Sequence, residues 1–160
     1  MRDGSARLLR ALVRAHIDGP ASYARAPDCH GCHLTRFLLI CLAGAAGTGA
    51  RYLVATGMLN LLGPTFPFGT LTVNVVGSFL LGAIMELSLG YGVIPPDLRI
   101  ILATGVMGGF TTYSSFNNET LGYLQKGAWL LGGTYFLATA LGCLAAGVIG
   151  VAFARWLAGG

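Results

Sequence analysis

Charge is what this sequence has least of. Its 160 residues include only ten Lys or Arg and six Asp or Glu, 10% in all, against 54% hydrophobic residues. Average soluble domains carry about 25% charged residues, so a chain with room for one domain could not cover its surface with polar groups. That shortage excludes an ordinary soluble domain and leaves lipid as the solvent the composition fits. Also missing is the interleaving of aromatic and basic residues that marks RNA-binding surfaces, so the formal charge of +4 does not point to nucleic acid. Period-two alternation in short segments, the mark of a transmembrane barrel, is absent as well, and strands are not expected. The N-terminus lacks a small-residue cleavage site after a short apolar core and does not read as a secretory signal.

What is present is four long apolar stretches behind a basic tail. Five of the ten basic residues, Arg2, Arg7, Arg10, Arg14 and Arg25, precede residue 34, beside Asp3, Asp18 and Asp28. A basic segment ahead of a hydrophobic span reports membrane orientation. The stretches run over 37–62, 68–89, 98–124 and 128–157. Each exceeds the roughly 20 residues that cross a ~30 Å hydrocarbon core as helix. Gly63-Pro64-Thr65-Phe66-Pro67, then Gly90-Tyr91-Gly92 with Pro95-Pro96, then Lys126-Gly127 punctuate them. Small residues recur four apart at Gly44/Thr48, Gly105/Gly109 and Gly142/Ala146/Gly150, a spacing that lets helix backbones approach closely in lipid. Arg36, Arg99 and Arg155 fall on one side of the four-span scheme and Lys126 on the other. So small a bias permits both orientations, with the tail favouring an inside N-terminus. Four helices barely enclose a pore, so transport implies a dimer.

The third stretch carries the most chemistry. Gly108-Gly109 and then Phe110-Thr111-Thr112-Tyr113-Ser114-Ser115-Phe116 make a poor continuous helix, and a break there frees carbonyls and amides of the kind that discontinuous membrane helices use to hold ions. A kinked helix with its hydroxyls bonded back to its own carbonyls is the structural alternative. In the second stretch Thr70, Asn74 and Ser78 share one helix face. The Asn74 amide offers two donors without charge, as an anion path requires, and also serves as interhelical glue. Tyr135, Thr139 and Cys143 repeat the spacing in the fourth stretch, lining a path or bonding to neighbours. Glu86 reads as a solvated helix end. Glu119 is an ionisable group near mid-membrane, as a cap or a pair across a dimer.

Three runs, GAAGTGARY (Gly44 to Tyr52), FGTLTVNVVGSFLLG (Phe68 to Gly82) and GVMGGFTTYSSF (Gly105 to Phe116), resemble in order and separation the signature segments of the fluoride channel family, Fluc, also called CrcB. The resemblance covers about residues 34–157. It implies an all-α membrane protein of four transmembrane helices, the third broken mid-membrane, forming an antiparallel dual-topology dimer with two fluoride pores. It implies a structural Na⁺ at the dimer centre, held by the backbone carbonyls of Gly108 and Thr111. The pore positions it implies are Asn74, the rings of Tyr113 and Phe116 with their positive edges toward the anion, and the hydroxyls of Ser114 and Ser115. Tyr135, Thr139 and Cys143 match the family's polar track, and Arg51 its arginine at the end of the first motif. That arginine has an electrostatic role at a pore mouth or, read from its chemistry, snorkels to the interface. Tyr113 stands where many members carry phenylalanine.

The function so implied is passive, fluoride-selective export across the inner plasma membrane, by a homodimer or a heterodimer with a related chain. No chemical step and no catalytic residue belong to it. The alternative is a small dual-topology exporter of organic cations, which needs a membrane-embedded carboxylate. Residues 29–33 read CHGCH, the pattern of c-type haem attachment, and their thiols and histidines also suit zinc. We read haem or zinc at Cys29 and Cys32 as chance, because the tail has no apolar core to enclose a haem. Residues 1–33 are expected to be a disordered extension and 34–160 the channel domain. Cys41 lies inside a span and reads as a packing residue.

Overall fold

The computed structural model describes residues 30–159, with side chains from residue 33 onward. Cys29 and the side chains of His30 and Cys32 therefore lie outside the described residues, as does most of the extension expected over 1–33.

Every regular element among the described residues is helical. Helix α1 (His30–Leu62) is followed by α2 (Phe68–Met85), whose end widens into a π-helical segment, Glu86–Gly90. Helix α3 (Pro96–Ile100) runs through a second π-helical segment, Ile101–Met107, into the short α4 (Gly108–Phe110). Two residues then interrupt the helix before α5 (Tyr113–Gln125), and α6 (Trp129–Leu157) ends the chain. Gly63, Gly92 and Gly127 take positive φ at the turns, a conformation that side chains with a Cβ resist. Pro96 opens α3, where its missing N–H costs nothing.

Three helical stretches, His33–Leu62, Phe68–Gly90 and Trp129–Leu157, are long and apolar enough to cross a membrane. Large apolar side chains face outward along them, with Leu130, Leu61 and Leu53 each more than 70% exposed. A water-soluble monomer seldom tolerates so much exposed apolar surface. The buried apolar centre is correspondingly small: Val73, Met107 and Phe110, with Val54, Ile84 and Val106 against them.

Glycine sets the helix contacts. A Cβ on Gly150 would lie 2.0 Å from the Phe79 carbonyl oxygen, and one on Gly82 would lie 2.5 Å from that of Gly147, so α2 and α6 touch backbone to backbone. Likewise a Cβ on Gly109 would lie 2.3 Å from the Gly44 oxygen and one on Gly47 2.1 Å from that of Val106. In lipid such close approach replaces the hydrophobic drive that packs helices in water. At one end of the bundle, Arg36 pairs with Asp97 and Arg155 pairs with Glu86 at 2.8 Å. Glu86, expected as a solvated helix end, thus ties the end of α2 to the end of α6. Arg99 is buried nearby and donates to the Ser88 hydroxyl at 3.4 Å.

Candidate functional site

Helical geometry continues through Gly108 and Gly109 and stops only after Phe110. Thr111 (φ −83°, ψ 158°) and Thr112 (φ −150°, ψ 110°) are extended. An extended pair inside a helical run strands amides and carbonyls, and nearby side chains recover several of them. Buried Asn74 on α2 uses both ends of its carboxamide: Oδ1 accepts from the Thr112 N–H at 2.8 Å and Nδ2 donates to the Thr112 carbonyl at 3.0 Å. One Nδ2 hydrogen remains after these bonds. The Thr112 hydroxyl caps α5 by accepting from the Ser115 N–H at 3.2 Å, donates to the Ser115 hydroxyl at 3.0 Å and lies 3.4 Å from the Ser114 hydroxyl. Thr111 turns its hydroxyl back to the Met107 carbonyl at 2.9 Å, and Gly77 leaves the space its methyl group fills.

Beyond the break the rings gather around Phe116, which is buried. Its centroid lies 5.7 Å from Tyr113, 5.4 Å from Tyr135 and 5.7 Å from Phe136. The first two contacts are edge-on, an arrangement that sets a positive ring edge against a negative face. Tyr113 itself is 75% exposed, and no hydrogen bond to its hydroxyl is made within the described residues. Tyr135 is fully buried, and its hydroxyl donates to Glu119 Oε2 at 2.6 Å. The Thr70 hydroxyl donates to Oε1 at 2.7 Å, so one carboxylate joins α2, α5 and α6. A cleft of about 580 Å³ opens beside Glu119, lined also by Thr65, Thr70, Tyr123 and Lys126.

The structure therefore brings Asn74, Ser114 and Ser115 together at the break and Tyr113, Phe116 and Tyr135 in the row of rings. Thr139, one turn along α6 from Tyr135, is buried and its hydroxyl makes no hydrogen bond of good geometry. Cys143 follows, half-buried. Gly108 is exposed and Thr111 half-buried. Half-buried Arg51 on α1 has no ion pair among the described residues. Sequence reasoning did not single out Thr112, although a threonine three residues before Ser115 at a helix start is a capping signal. Nor did it find the Glu119 bridge or the burial of Arg99, which depend on segments distant in sequence.

Residues 38–151 match the family model described as CrcB-like protein, Camphor Resistance (CrcB). The chain belongs to the CrcB family. Among its curated relatives, a fluoride-specific ion channel FluC of Anaeromyxobacter dehalogenans is 57% identical over 126 residues, which are 79% of this chain and all of the relative. One of the same name from Sorangium cellulosum is 50% identical over 127 residues, covering 79% of this chain and all of the relative. A third, from Geobacter sulfurreducens, is 43% identical over 124 residues, 78% of this chain and all of that protein. Family and apolar helices agree on a multi-pass membrane protein, and the CrcB match includes the break and the greater part of α1 and α6.

Proposed function

We propose that the chain is a fluoride-selective channel that lets cytoplasmic fluoride leave passively across the inner plasma membrane. The observation that carries this reading is the interrupted helix, its hydroxyls and ring edges gathered beside Asn74, in a chain whose relatives are named fluoride-specific ion channels. In this reading the run from α3 through α5 is a fourth, broken passage. The remaining Asn74 donor, the Ser114 and Ser115 hydroxyls, the edges of Tyr113 and Phe116, and the track Tyr135, Thr139, Cys143 replace hydration water at several weak sites. Spaced weak sites allow conduction without trapping. Arg51 draws anions toward the mouth.

Two copies, antiparallel and in dual topology, complete the channel, and a related chain is the other possible partner. A structural Na⁺ belongs at their centre, and the donor set fits one. The N–H groups that would close helical bonds onto Gly108 and Thr111 are those of Thr112 and Ser115, and both are held elsewhere. Uncommitted carbonyls are hard-cation ligands, and two from each copy would hold a cation whose positive charge would offset that of the two anion paths.

The exporter alternative has one point in its favour, a carboxylate at Glu119, but both its oxygens hold hydroxyl donors. Release of protons on addition of an organic cation would support that alternative. Expression in a bacterium lacking its own fluoride exporter should raise the fluoride concentration that arrests growth. No rise, with the chain present in the membrane, would contradict the channel reading.

A further inference from the structure

Asn74 belongs to the anion path in the proposed reading, yet half of its hydrogen-bonding capacity goes to the Thr112 backbone. An uninterrupted helix would send the Thr112 N–H to the Gly108 carbonyl and the Ser115 N–H to the Thr111 carbonyl. Here the first goes to Asn74 Oδ1 at 2.8 Å and the second to the Thr112 hydroxyl at 3.2 Å. The neighbouring carbonyls are treated differently. Met107 accepts from both the N–H and the hydroxyl of Thr111, each at 2.9 Å. Gly109 faces the Thr48 hydroxyl at 3.5 Å, and Thr112 accepts from Asn74 Nδ2 at 3.0 Å. The groups at the break thus serve the carbonyls of Met107, Gly109 and Thr112 and withhold helical N–H partners from those of Gly108 and Thr111.

We propose that Asn74 and Thr112 are positioning residues of the cation site, keeping the Gly108 and Thr111 carbonyls available by capturing the two N–H groups that would otherwise close onto them. The inference rests on the reading that those carbonyls hold Na⁺. It gives Asn74 a second job, because one carboxamide then serves the anion path and fixes the cation site. Buried polar groups without partners are costly. Removing the capture therefore drives the freed N–H back to its helical acceptor, and the carbonyl is lost to the ion.

The test uses the full-length chain purified in detergent, with the thermal unfolding midpoint measured against Na⁺ concentration at ionic strength held constant with N-methyl-D-glucamine. The wild-type midpoint should rise with Na⁺. Asn74→Leu, which keeps the side-chain shape but removes both bonds, should need at least tenfold more Na⁺ for the same rise. Thr112→Val should show the same change, whereas Thr112→Ser, which keeps the hydroxyl acceptor, should restore the wild-type response. Thr139→Val removes a buried hydroxyl that touches neither N–H and should leave the Na⁺ response intact even where fluoride flux falls.

Wild-type Na⁺ dependence in both Asn74→Leu and Thr112→Val would overturn the inference, as would an equal loss in Thr139→Val. If Asn74→Leu does not fold, the Val and Ser pair at Thr112 decides. A wild-type protein that conducts fluoride but shows no Na⁺ response would remove the cation site, and this inference with it, while leaving the channel reading in place. Absence of fluoride flux would count against the channel reading itself.

Discussion

At the scale of single residues, the hydroxyls of Thr70 and Tyr135 aimed at the two oxygens of Glu119 join three helices through one carboxylate. Tyr135→Phe leaves one oxygen short of a donor inside the bundle, a loss of about 1–3 kcal/mol. It should lower the unfolding midpoint of the purified protein while leaving helix content by circular dichroism unchanged. Tyr113 behaves differently, because its hydroxyl has no partner within the described residues and its ring meets Phe116 edge-to-face. Tyr113→Phe should therefore keep fluoride efflux within about twofold of wild type, an outcome that follows if the edge is the working part; an inactive variant would contradict it. The shared face of Thr70 and Asn74 was legible from their spacing. Their targets were not, because Thr70 reaches a residue 49 positions away and Asn74 one 38 positions away. Periodicity reports which residues face the same way and says nothing of what they meet.

Among the elements, the interrupted helix was legible as a conflict between apolar length and local propensity. Its location was legible only to within a turn. The adjacent glycines are weak helix formers, yet Gly108 and Gly109 stay helical and the chain breaks at Thr111 and Thr112. Tertiary contact accounts for the difference, since Gly109 is spent on close approach to Gly44 and the extended pair is held by Asn74. The π-helical ends at Glu86–Gly90 and Ile101–Met107 left no signal in the sequence. Small-residue spacing also over-reads. A Cβ on Gly150 meets the Phe79 carbonyl oxygen at 2.0 Å, but one on Gly142 finds only a Val75 methyl group at an ordinary 3.5 Å. Gly150→Ala should thus destabilise by about 1–3 kcal/mol through overpacking. Gly142→Ala should be neutral or stabilising by up to ~1 kcal/mol from helix propensity. Thermal unfolding of the two variants side by side separates contact from composition. Gly77→Ala belongs with Gly150→Ala, because its Cβ would lie 2.2 Å from the Thr111 methyl carbon. It should lower fluoride flux by pushing on the break itself.

At the scale of the whole molecule, the charged side chains among the described residues are sparse and mostly at one end, where Arg36, Asp97, Arg99, Glu86 and Arg155 gather, with Lys126 toward the other. Trp129 and Trp156 stand near opposite ends of α6, each 70% exposed, as interfacial anchors do. The apolar girth between them was legible from composition alone. How the stranded backbone groups of the broken helix find partners was not, because it depends on which distant side chains reach them. The central claim, that this chain forms a fluoride-selective channel, is tested most directly by reconstituting the purified protein into liposomes loaded with fluoride or chloride. External anion is then followed with ion-selective electrodes. Rapid fluoride efflux once charge is balanced by a potassium ionophore, with chloride retained, is the predicted result. Well-folded protein that releases neither anion, or both at equal rates, would contradict it.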